Sequence, residues 1–372
     1  MALVRPVSGV ERLWLAAGRI APPFAVLVIV EGRGAVALDA LRDAAQRTPA
    51  ARLRARGWLG WSAWHDDGPA AAVAPLPAGW DGLGSAPFLS APLHPERGQG
   101  LRLWTGPGCV AMEVHHALAD GRGALSTLSA LLTGDVDGTT TVTDAAVARP
   151  LRTTWKGSPS DDCSALLPLR GAPGLDVHWR RLRLGAVRSR PLARAIASLS
   201  AHLPDDASAR FDVPVDLRRH VADSAPFGNL TGLLRIPATT DIDRVEALLR
   251  DGLAAGLHLD FPLSGDVMRW FPVGLAAAIG RRAALRAQAN QRYSTTATVS
   301  NLGRVDLDAF RTPTFEPERV CVVAPGSPGL PAFFTLTGHT SGLDLAVTAP
   351  RALASEADLD RLLAELGEAL SA

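Results

Sequence analysis

The segment 109–132 constrains the fold more than any other part of this sequence, because it predicts a strand that turns tightly into a helix. Residues 109–114 are a largely apolar run of strand length, and residues 124–132 have the apolar spacing of a short amphipathic helix. Glycines in the turn permit positive φ and close backbone approach. Such a turn can present an imidazole to a cleft, and it contains His115, His116, Asp120, Gly121 and Gly123.

The two adjacent histidines suit general-base catalysis. An imidazole titrates near neutral pH, and it can take a proton from an attacking hydroxyl, amine or thiol when its tautomer is fixed and its ring is aimed. Because side chains alternate along a strand, His115 and His116 should face opposite ways, one toward a channel and the other into packing. Asp120 either orients the ring directly or holds the turn through an arginine elsewhere. We predict the second arrangement.

Simpler interpretations stand beside this one. A single histidine at the end of a strand is more often a packing residue than a base, and an Asp-Gly pair is usually only a turn. A metal site is not expected, because adjacent histidines on a strand diverge and no cluster of Cys or acidic residues supplies further ligands. The three widely spaced cysteines also predict neither a disulfide framework nor a zinc site.

The pattern His115-His116-x-x-x-Asp120-Gly121 resembles the HHxxxDG signature of a large acyltransferase superfamily. That superfamily includes the condensation domains of peptide synthetases, polyketide-associated acyltransferases, plant BAHD acyltransferases and chloramphenicol acetyltransferase. Its second histidine is catalytic and its aspartate is structural. The resemblance therefore implies a catalytic role for His116 and a structural role for Asp120, supported by Gly121.

Two later stretches resemble further landmarks of the same superfamily. A Val-Asp-Leu-Arg strand end at 215–218 precedes a Gly-Asn-x-x-Gly element at 228–232, and in the family an arginine there commonly pairs with the motif aspartate. The resemblance makes Arg218 the candidate partner of Asp120; otherwise Arg218 would belong to a solvated face. A Ser-Asn-Leu-Gly stretch is similar to a motif across the channel from the histidines. The implied channel-lining residues are His115, Ser300 and Asn301.

The resemblance implies an α/β (α+β) fold of two chloramphenicol-acetyltransferase-like lobes. Each lobe is a mostly antiparallel or mixed sheet flanked by helices, with a channel at their interface. At 372 residues the chain is long enough for two such cores. The patterns place the N-terminal lobe at 1–135, a crossover linker rich in Gly, Ser, Thr and Pro at 136–174, and the C-terminal lobe at 175–372.

Hydrophobic periodicity predicts the elements of both lobes. Strands are expected at 24–30, 101–104, 109–116, 177–184, 209–217, 295–303, 319–323, 332–337 and 343–347. Helices are expected from an N-cap at Ser8 and at 36–46, 191–203, 241–257, 265–290 and 356–370, with a break at Pro272. We interpret Trp58, Trp61 and Trp64 as core or loop cover, and His339 as a turn residue that has a smaller chance of facing the cleft.

Charge and hydropathy limit the partners and the location. With 38 Lys and Arg against 37 Asp and Glu, there is no electrostatic case for nucleic acid or an anionic membrane. The longest unbroken apolar run, 24–30, is far too short to cross a bilayer, and the N-terminal residues lack a signal-type pattern. We therefore expect a cytoplasmic protein.

The resemblance implies an acyltransferase that moves an acyl group from a thioester to a hydroxyl or amine of a small-molecule acceptor in specialised metabolism. The thioester is a co-substrate, held by an acyl carrier protein or by coenzyme A, and no tightly bound cofactor is expected. The BAHD motif DFGWG and an obvious basic cluster for coenzyme A phosphates are absent, which favours a carrier-protein partner. Two alternatives stay open: a cyclase acting on a polyketide or polyene intermediate, and a non-catalytic carrier-protein partner.

Overall fold

The computed structural model describes residues 4–57, 63–134, 162–204, 207–220, 228–259 and 271–371. Within these ranges the chain forms seven α-helices and three sheets. The helices are α1 (Gly9–Ile20), α2 (Leu38–Arg47), α3 (Gly121–Thr133), α4 (Pro191–Ser200), α5 (Ile242–Ala254), α6 (Val273–Asn290) and α7 (Glu356–Leu370). Trp58, Trp61 and most of the predicted linker lie outside the described residues.

The first large sheet has five strands and is antiparallel except for its last pair. In spatial order its strands are β12 (Phe315–Val323), β2 (Ala25–Gly34), β7 (Cys109–His115), β6 (Leu101–Gly106) and β5 (Ala72–Pro75). A small antiparallel sheet beside it contains β1 (Val4–Pro6), β4 (Ala63–His65) and β3 (Arg54–Arg56). Trp64 of the small sheet is fully buried, as its interpretation as a core residue requires.

The second large sheet has six strands of mixed direction. Its spatial order is β10 (Thr231–Pro237), β9 (Arg210–Asp216), β11 (Ala297–Arg304), β13 (Phe333–His339), β14 (Gly342–Pro350) and β8 (Val177–Leu184). Helices α4, α5 and α7 pack on its outer face, where alternate residues such as Phe211, Val299 and Leu345 form the core. The predicted fold class, with two mostly antiparallel or mixed sheets flanked by helices, is confirmed.

Several helix boundaries follow from local signals. The Ser8 hydroxyl accepts a hydrogen bond from the backbone N–H of Glu11, and the Glu11 carboxylate accepts one from the backbone N–H of Ser8, so the predicted N-cap of α1 forms a capping box. Asp241 caps α5 through its side chain. Helix α6 begins directly after Pro272, in agreement with the predicted break, because proline lacks the N–H that a continuing helix needs.

Strand β12 crosses from the C-terminal part of the sequence into the first sheet, where it pairs with β2. Val322 also joins this strand to the second sheet: its carbonyl accepts a hydrogen bond from Thr335 Oγ1 at 2.6 Å, and its N–H donates to Thr337 Oγ1 at 3.2 Å. We predicted the strand but not its place in the other sheet. The two sheets are therefore joined by hydrogen bonds along β12.

A buried ionic cluster joins the sheets a second time. Arg181 of β8 has a fully buried side chain and donates to Glu31 of β2 and to Asp344 of β14. His339 is 2.7 Å from Asp344 through Nε2 and is 6% exposed. The interpretation of His339 as a turn residue is wrong, because pairing with Gly342 extends β13 through position 339.

Candidate functional site

His116 directly follows β7, where the chain leaves the first sheet. Its backbone N–H donates to Phe24 O, and its imidazole stacks on Trp14 of α1 with the ring centroids 4.8 Å apart. Phe24 lies on another side, with its centroid 5.8 Å from the imidazole. These two aromatic rings thus fix the plane of the histidine. The His116 side chain is partly exposed and faces a pocket.

A single hydrogen bond fixes the tautomer of His116. Its Nδ1 lies 3.0 Å from the carbonyl oxygen of Ala119, and a carbonyl only accepts, so Nδ1 holds the proton and Nε2 has the free lone pair. Burial lowers the pKa of His116 from its ordinary value, although the Ala119 carbonyl and the nearby Asp120 charge act in the opposite direction. At neutral pH the imidazole is therefore uncharged and able to accept a proton.

His115 faces the other way, as strand alternation predicts. Its side chain is 2% exposed and packs against Gly18 of α1, where a β-carbon would overlap the imidazole Nε2. Its Nδ1 accepts a hydrogen bond from the N–H of Ala117 at 3.1 Å. Burial lowers the pKa of His115 to about 3. We predicted His115 as a channel-lining residue; the structure instead places it in packing beneath the turn.

Asp120 holds the turn through hydrogen bonds to residues near the ends of β9 and β10, in the second sheet. Arg218 donates to both carboxylate oxygens, at 3.1 Å from Nη1 and 2.9 Å from Nη2. The N–H of Leu230 and the hydroxyl of Thr231 also donate to Oδ2. Burial favours the neutral acid, but Arg218 and the backbone N–H donors outweigh it and lower the pKa of Asp120. Asp120 and Arg218 lie together as the sequence predicts.

Asp120 is also the N-cap of α3. Its Oδ1 accepts from the N–H of Gly123 at 2.8 Å, and the helix begins at Gly121. A β-carbon on Gly121 would lie 3.3 Å from Leu302 of β11. Glycine at this position therefore allows the first turn of α3 to lie close to the second sheet. The first N–H groups of α3 have no partner within the helix and carry its partial positive charge.

A pocket of about 410 Å³ lies between the two sheets and contains His116 in its wall. The first sheet and its helices contribute Trp14, Val26, His116 and Gly121, and the second sheet contributes β9, β10, β11 and β13. The predicted channel-lining residues Ser300 and Asn301 both lie in this wall. Other polar lining groups are Asp212, Asp216, Asn229, Thr231, Ser294, Thr295, Thr298 and Thr335.

Some lining residues were missed at the level of sequence. Trp14 belongs to a helix whose pattern predicts only packing, and its stacking on His116 depends on how α1 docks. Both amide atoms of Asn229 are buried and lack a hydrogen-bond partner among the described residues, although the side chain lines the pocket. An unpaired buried amide is rare in folded proteins. The Gly-Asn-x-x-Gly element was the only signal for it.

The described residues contain no group of three or more His, Cys, Asp or Glu side chains that is arranged to hold a metal ion. No helix among them combines the length and the apolar character needed to span a bilayer. The groups that line the pocket include the uncharged imidazole of His116, several hydroxyls and amide groups, the carboxylates of Asp212 and Asp216, and the N-terminal turn of α3.

Searches for family models and for curated protein sequences found no match. Solved structures do match over nearly the full length. The starter condensation domain of the rhizomide synthetase RzmA, as a mutant in complex with C8-CoA and Leu-SNAC, has a TM-score of 0.64 at 17% identity, covering 98% of this chain and 93% of that one. The chain has the condensation-domain fold.

Two further structures with this fold extend the comparison. TRI3 trichothecene 15-O-acetyltransferase from Fusarium sporotrichioides has a TM-score of 0.62 at 14% identity. The match covers 99% of this chain and 94% of the TRI3 chain. The condensation domain of the monacolin K polyketide synthase MokA has a TM-score of 0.60 at 12% identity, with coverages of 99% and 96%. The predicted condensation-domain-like fold is thus confirmed.

Proposed function

We propose that this protein is an acyltransferase that moves an acyl group from a thioester to a hydroxyl or amine, with His116 as the general base. The observation that carries this proposal is the Nδ1–H hydrogen bond to Ala119 O, which leaves Nε2 as a free base beside a pocket between two sheets. The likeness in fold to condensation domains and an acetyltransferase supports the same reaction class.

The reaction begins when the acceptor O–H or N–H donates a hydrogen bond to His116 Nε2. As the acceptor atom attacks the thioester carbonyl, its proton passes to Nε2, and the new bond produces a tetrahedral oxyanion. Collapse of that intermediate breaks the C–S bond, and the leaving thiolate takes the proton back from the imidazolium. General-base help of this kind contributes roughly 10²–10⁴-fold.

The chain offers donors for the oxyanion in the same pocket. Gly121, at the start of α3, lines the pocket, and the first N–H groups of a helix favour negative charge. The Asn229 amide, which has no hydrogen-bond partner within the described part of the chain, is a second candidate donor. The Asp120–Arg218 pair contacts neither reactant in this scheme; it positions the turn that holds the base.

An acyl carrier protein is the proposed source of the donor, with coenzyme A thioesters as the alternative. The outer face of α6 contains no acidic residue and exposes Leu275, Ile279, Arg281, Arg282 and Arg286. An acidic, amphipathic partner helix is complementary to such an apolar and basic face. On its inner side, α6 contacts the loop 324–330, most of whose residues line the pocket: Gln288 donates to Pro328 O at 2.7 Å. A carrier bound there would sit one helix away from the pocket.

His116→Ala tests the proposal. The protein is incubated with a panel of acyl-coenzyme A and carrier-linked donors and with alcohol and amine acceptors, and products are identified by mass spectrometry. We expect wild-type transfer to fall by about 10²–10⁴-fold in the variant. His94→Ala, which changes a surface histidine paired with Glu96, is the matched control and should keep full activity.

The other functions make different predictions in the same experiment. Acyl transfer that survives His116→Ala at the wild-type rate refutes the general-base role. Product that forms without loss of the acyl donor, in both proteins, indicates a cyclase. Carrier binding with no product in either protein indicates a non-catalytic partner.

A further inference from the structure

The inner face of the second sheet is unusually polar where it borders the pocket. Along β9, Phe211 and Val213 face the helices and belong to the hydrophobic core, whereas Asp212 and Pro214 line the pocket. The same alternation along β11 places Thr298 and Ser300 on the pocket side. Because successive side chains of a strand point to opposite faces of the sheet, these polar side chains lie together on the face that borders the pocket.

Asp212 is the most buried charged group of this surface. It is 5% exposed, and Arg235 of the neighbouring strand β10 donates to its Oδ1 from Nε at 2.9 Å. An ionised carboxylate has about four acceptor sites, so one such bond leaves capacity for others. Burial raises the pKa of Asp212 even though the Arg235 charge acts against it. Packing alone gives no reason to place a carboxylate there.

The register places Asp212 toward the end of β9 that is opposite to the end beside the histidine turn. Asp216, at the opposite end of β9, bonds to Arg218, which holds the aspartate of the histidine turn. Four residues separate Asp212 from Asp216, which corresponds to about 13 Å along a strand. Thr298 pairs with Asp212 across the sheet. Ser294 and Thr295, just before β11, complete the same end.

We propose that Asp212 and Thr298 form a polar subsite that binds a hydrogen-bond-donating group, a hydroxyl or an ammonium, at the end of the substrate remote from its reacting atom. This inference rests on the proposed function and names its substrate class: an elongated molecule that is polar at both ends. A plain hydrocarbon chain of the same length would bury its terminus against a carboxylate and hydroxyls, which costs binding free energy.

Calorimetric binding of three probes to the full chain tests the subsite without any turnover. The probes are 1-octanol, 1,8-octanediol and 8-amino-1-octanol, which differ only at the remote end. We expect the diol and the amino alcohol to bind wild type about tenfold or more tightly than 1-octanol. Equal affinity of wild type for all three probes overturns the proposal, and this measurement needs no variant.

Two substitutions then assign the residues. In Asp212→Asn the preference for the amino alcohol over 1-octanol should disappear, and in Thr298→Val it should weaken while the carboxylate remains. Asp243→Asn is the matched control, since Asp243 also pairs with an arginine, Arg190, but is exposed and outside the pocket lining. A preference that is unchanged in folded Asp212→Asn refutes the role of Asp212.

Failure of this inference and failure of the proposed function are distinguishable. A wild-type protein that transfers acyl groups but binds all three probes equally rejects only the subsite. If wild type discriminates among the probes but the His116→Ala variant still transfers acyl groups at the wild-type rate, only the role of His116 as general base is rejected. If Asp212→Asn does not fold, as its melting curve would show, Thr298→Val and the wild-type probe series decide the question.

Discussion

Arg218 donates hydrogen bonds to both carboxylate oxygens of Asp120, although 98 residues separate the two in sequence. Asp120 caps the helix that follows the histidine turn of the first sheet, and Arg218 lies two positions beyond the end of β9 in the second sheet. The pair therefore fixes the position of the His116 turn relative to the opposite wall of the pocket. A bidentate contact of this kind restrains orientation as well as distance.

We expect removal of either partner to destabilise the protein strongly. Asp120→Asn or Arg218→Ala leaves a buried group without its counter-charge, and such losses cost about 3–5 kcal/mol of unfolding free energy. The double variant should cost less than the sum of the two, because the second removal no longer breaks the pair. Urea unfolding of all four proteins measures this coupling.

The exposed pair of Asp39 and Arg42 supplies the control for that cycle. Its side chains are 90% and 48% exposed, so the corresponding double-mutant coupling should be only about 0.3–0.5 kcal/mol. Strictly additive effects at Asp120 and Arg218 would contradict a structural role for their contact.

The pH dependence of kcat/KM should report the lowered pKa of His116. A general base works in its neutral form, so activity should be flat near neutral pH and fall about tenfold per unit below a pKa that lies under the ordinary 6.5. Trp14→Ala exposes the imidazole to water, which should raise this pKa and move the acid limb to higher pH. The measurement is a pH–rate profile of both proteins.

In this comparison the pH at which kcat/KM begins to fall is more informative than the absolute rate. His94→Ala changes a surface histidine and should leave the profile where it is. A limb above pH 6.5 in wild type, or one that does not move in Trp14→Ala, would exclude burial as the cause of the shift.

The elements that sequence patterns predicted are those with local signals. The Ser8 cap of α1, the strand–turn–helix and the break at Pro272 each depend on residues close together in the chain. The pairing of β12 with β2 and the stacking of Trp14 on His116 depend on tertiary contacts that no local period encodes. The condensation-domain-like fold was predicted from the resemblance to the motifs of an acyltransferase superfamily, since the sequence shows no internal repeat.

Strand alternation predicted that the two histidines diverge, but not which of them meets the pocket. That choice depends on α1, whose Gly18 leaves room for the His115 ring and whose Trp14 covers His116. Asp212 shows the same limit: its strand was predicted, and its face became evident only when the helices packed on the alternate residues. The sequence therefore indicated the candidate base and the supporting pair, but not the remote end of the pocket.

His115 should make the protein sensitive to acid. Its pKa is about 3 in the fold against an ordinary 6.5, so below pH 6.5 the unfolded chain binds a proton that the folded chain does not. Stability should then fall as pH decreases, by about 1.4 kcal/mol per pH unit from this residue alone. The sign follows from linkage, because protonation favours the state with the higher pKa.

His115→Gln removes the titrating group and should flatten this dependence. The free energy of unfolding is measured in urea at pH 7.5 and pH 5.5, and the difference between the two values should be smaller in the variant than in wild type by roughly 1 kcal/mol. His202→Ala, at an exposed histidine paired with Glu365, controls for general effects of losing an imidazole. An identical pH dependence in His115→Gln and wild type would show that His115 is not held neutral.

Charge reversal on α6 should separate carrier-linked donors from coenzyme A thioesters. Arg282 and Arg286 are one turn apart on the exposed face, beside a depression of about 540 Å³ that Ile279 also lines. In the double variant Arg282→Glu/Arg286→Glu, like-charge repulsion should raise KM about tenfold for an acyl group on an acidic carrier protein. KM for the same acyl group on coenzyme A should stay within twofold, because it needs no docking helix.

Steady-state assays with both donors at two salt concentrations measure this difference. Added salt should raise the KM of wild type for the carrier-linked donor, because it screens the attraction between α6 and the carrier. The double variant lacks this attraction, so its KM should depend less on salt. Arg250→Glu, at a 75% exposed arginine of α5, is the matched control and should change neither donor. Equal losses with both donors would place the defect in the pocket rather than at a carrier surface. No loss with either would remove α6 from the docking site.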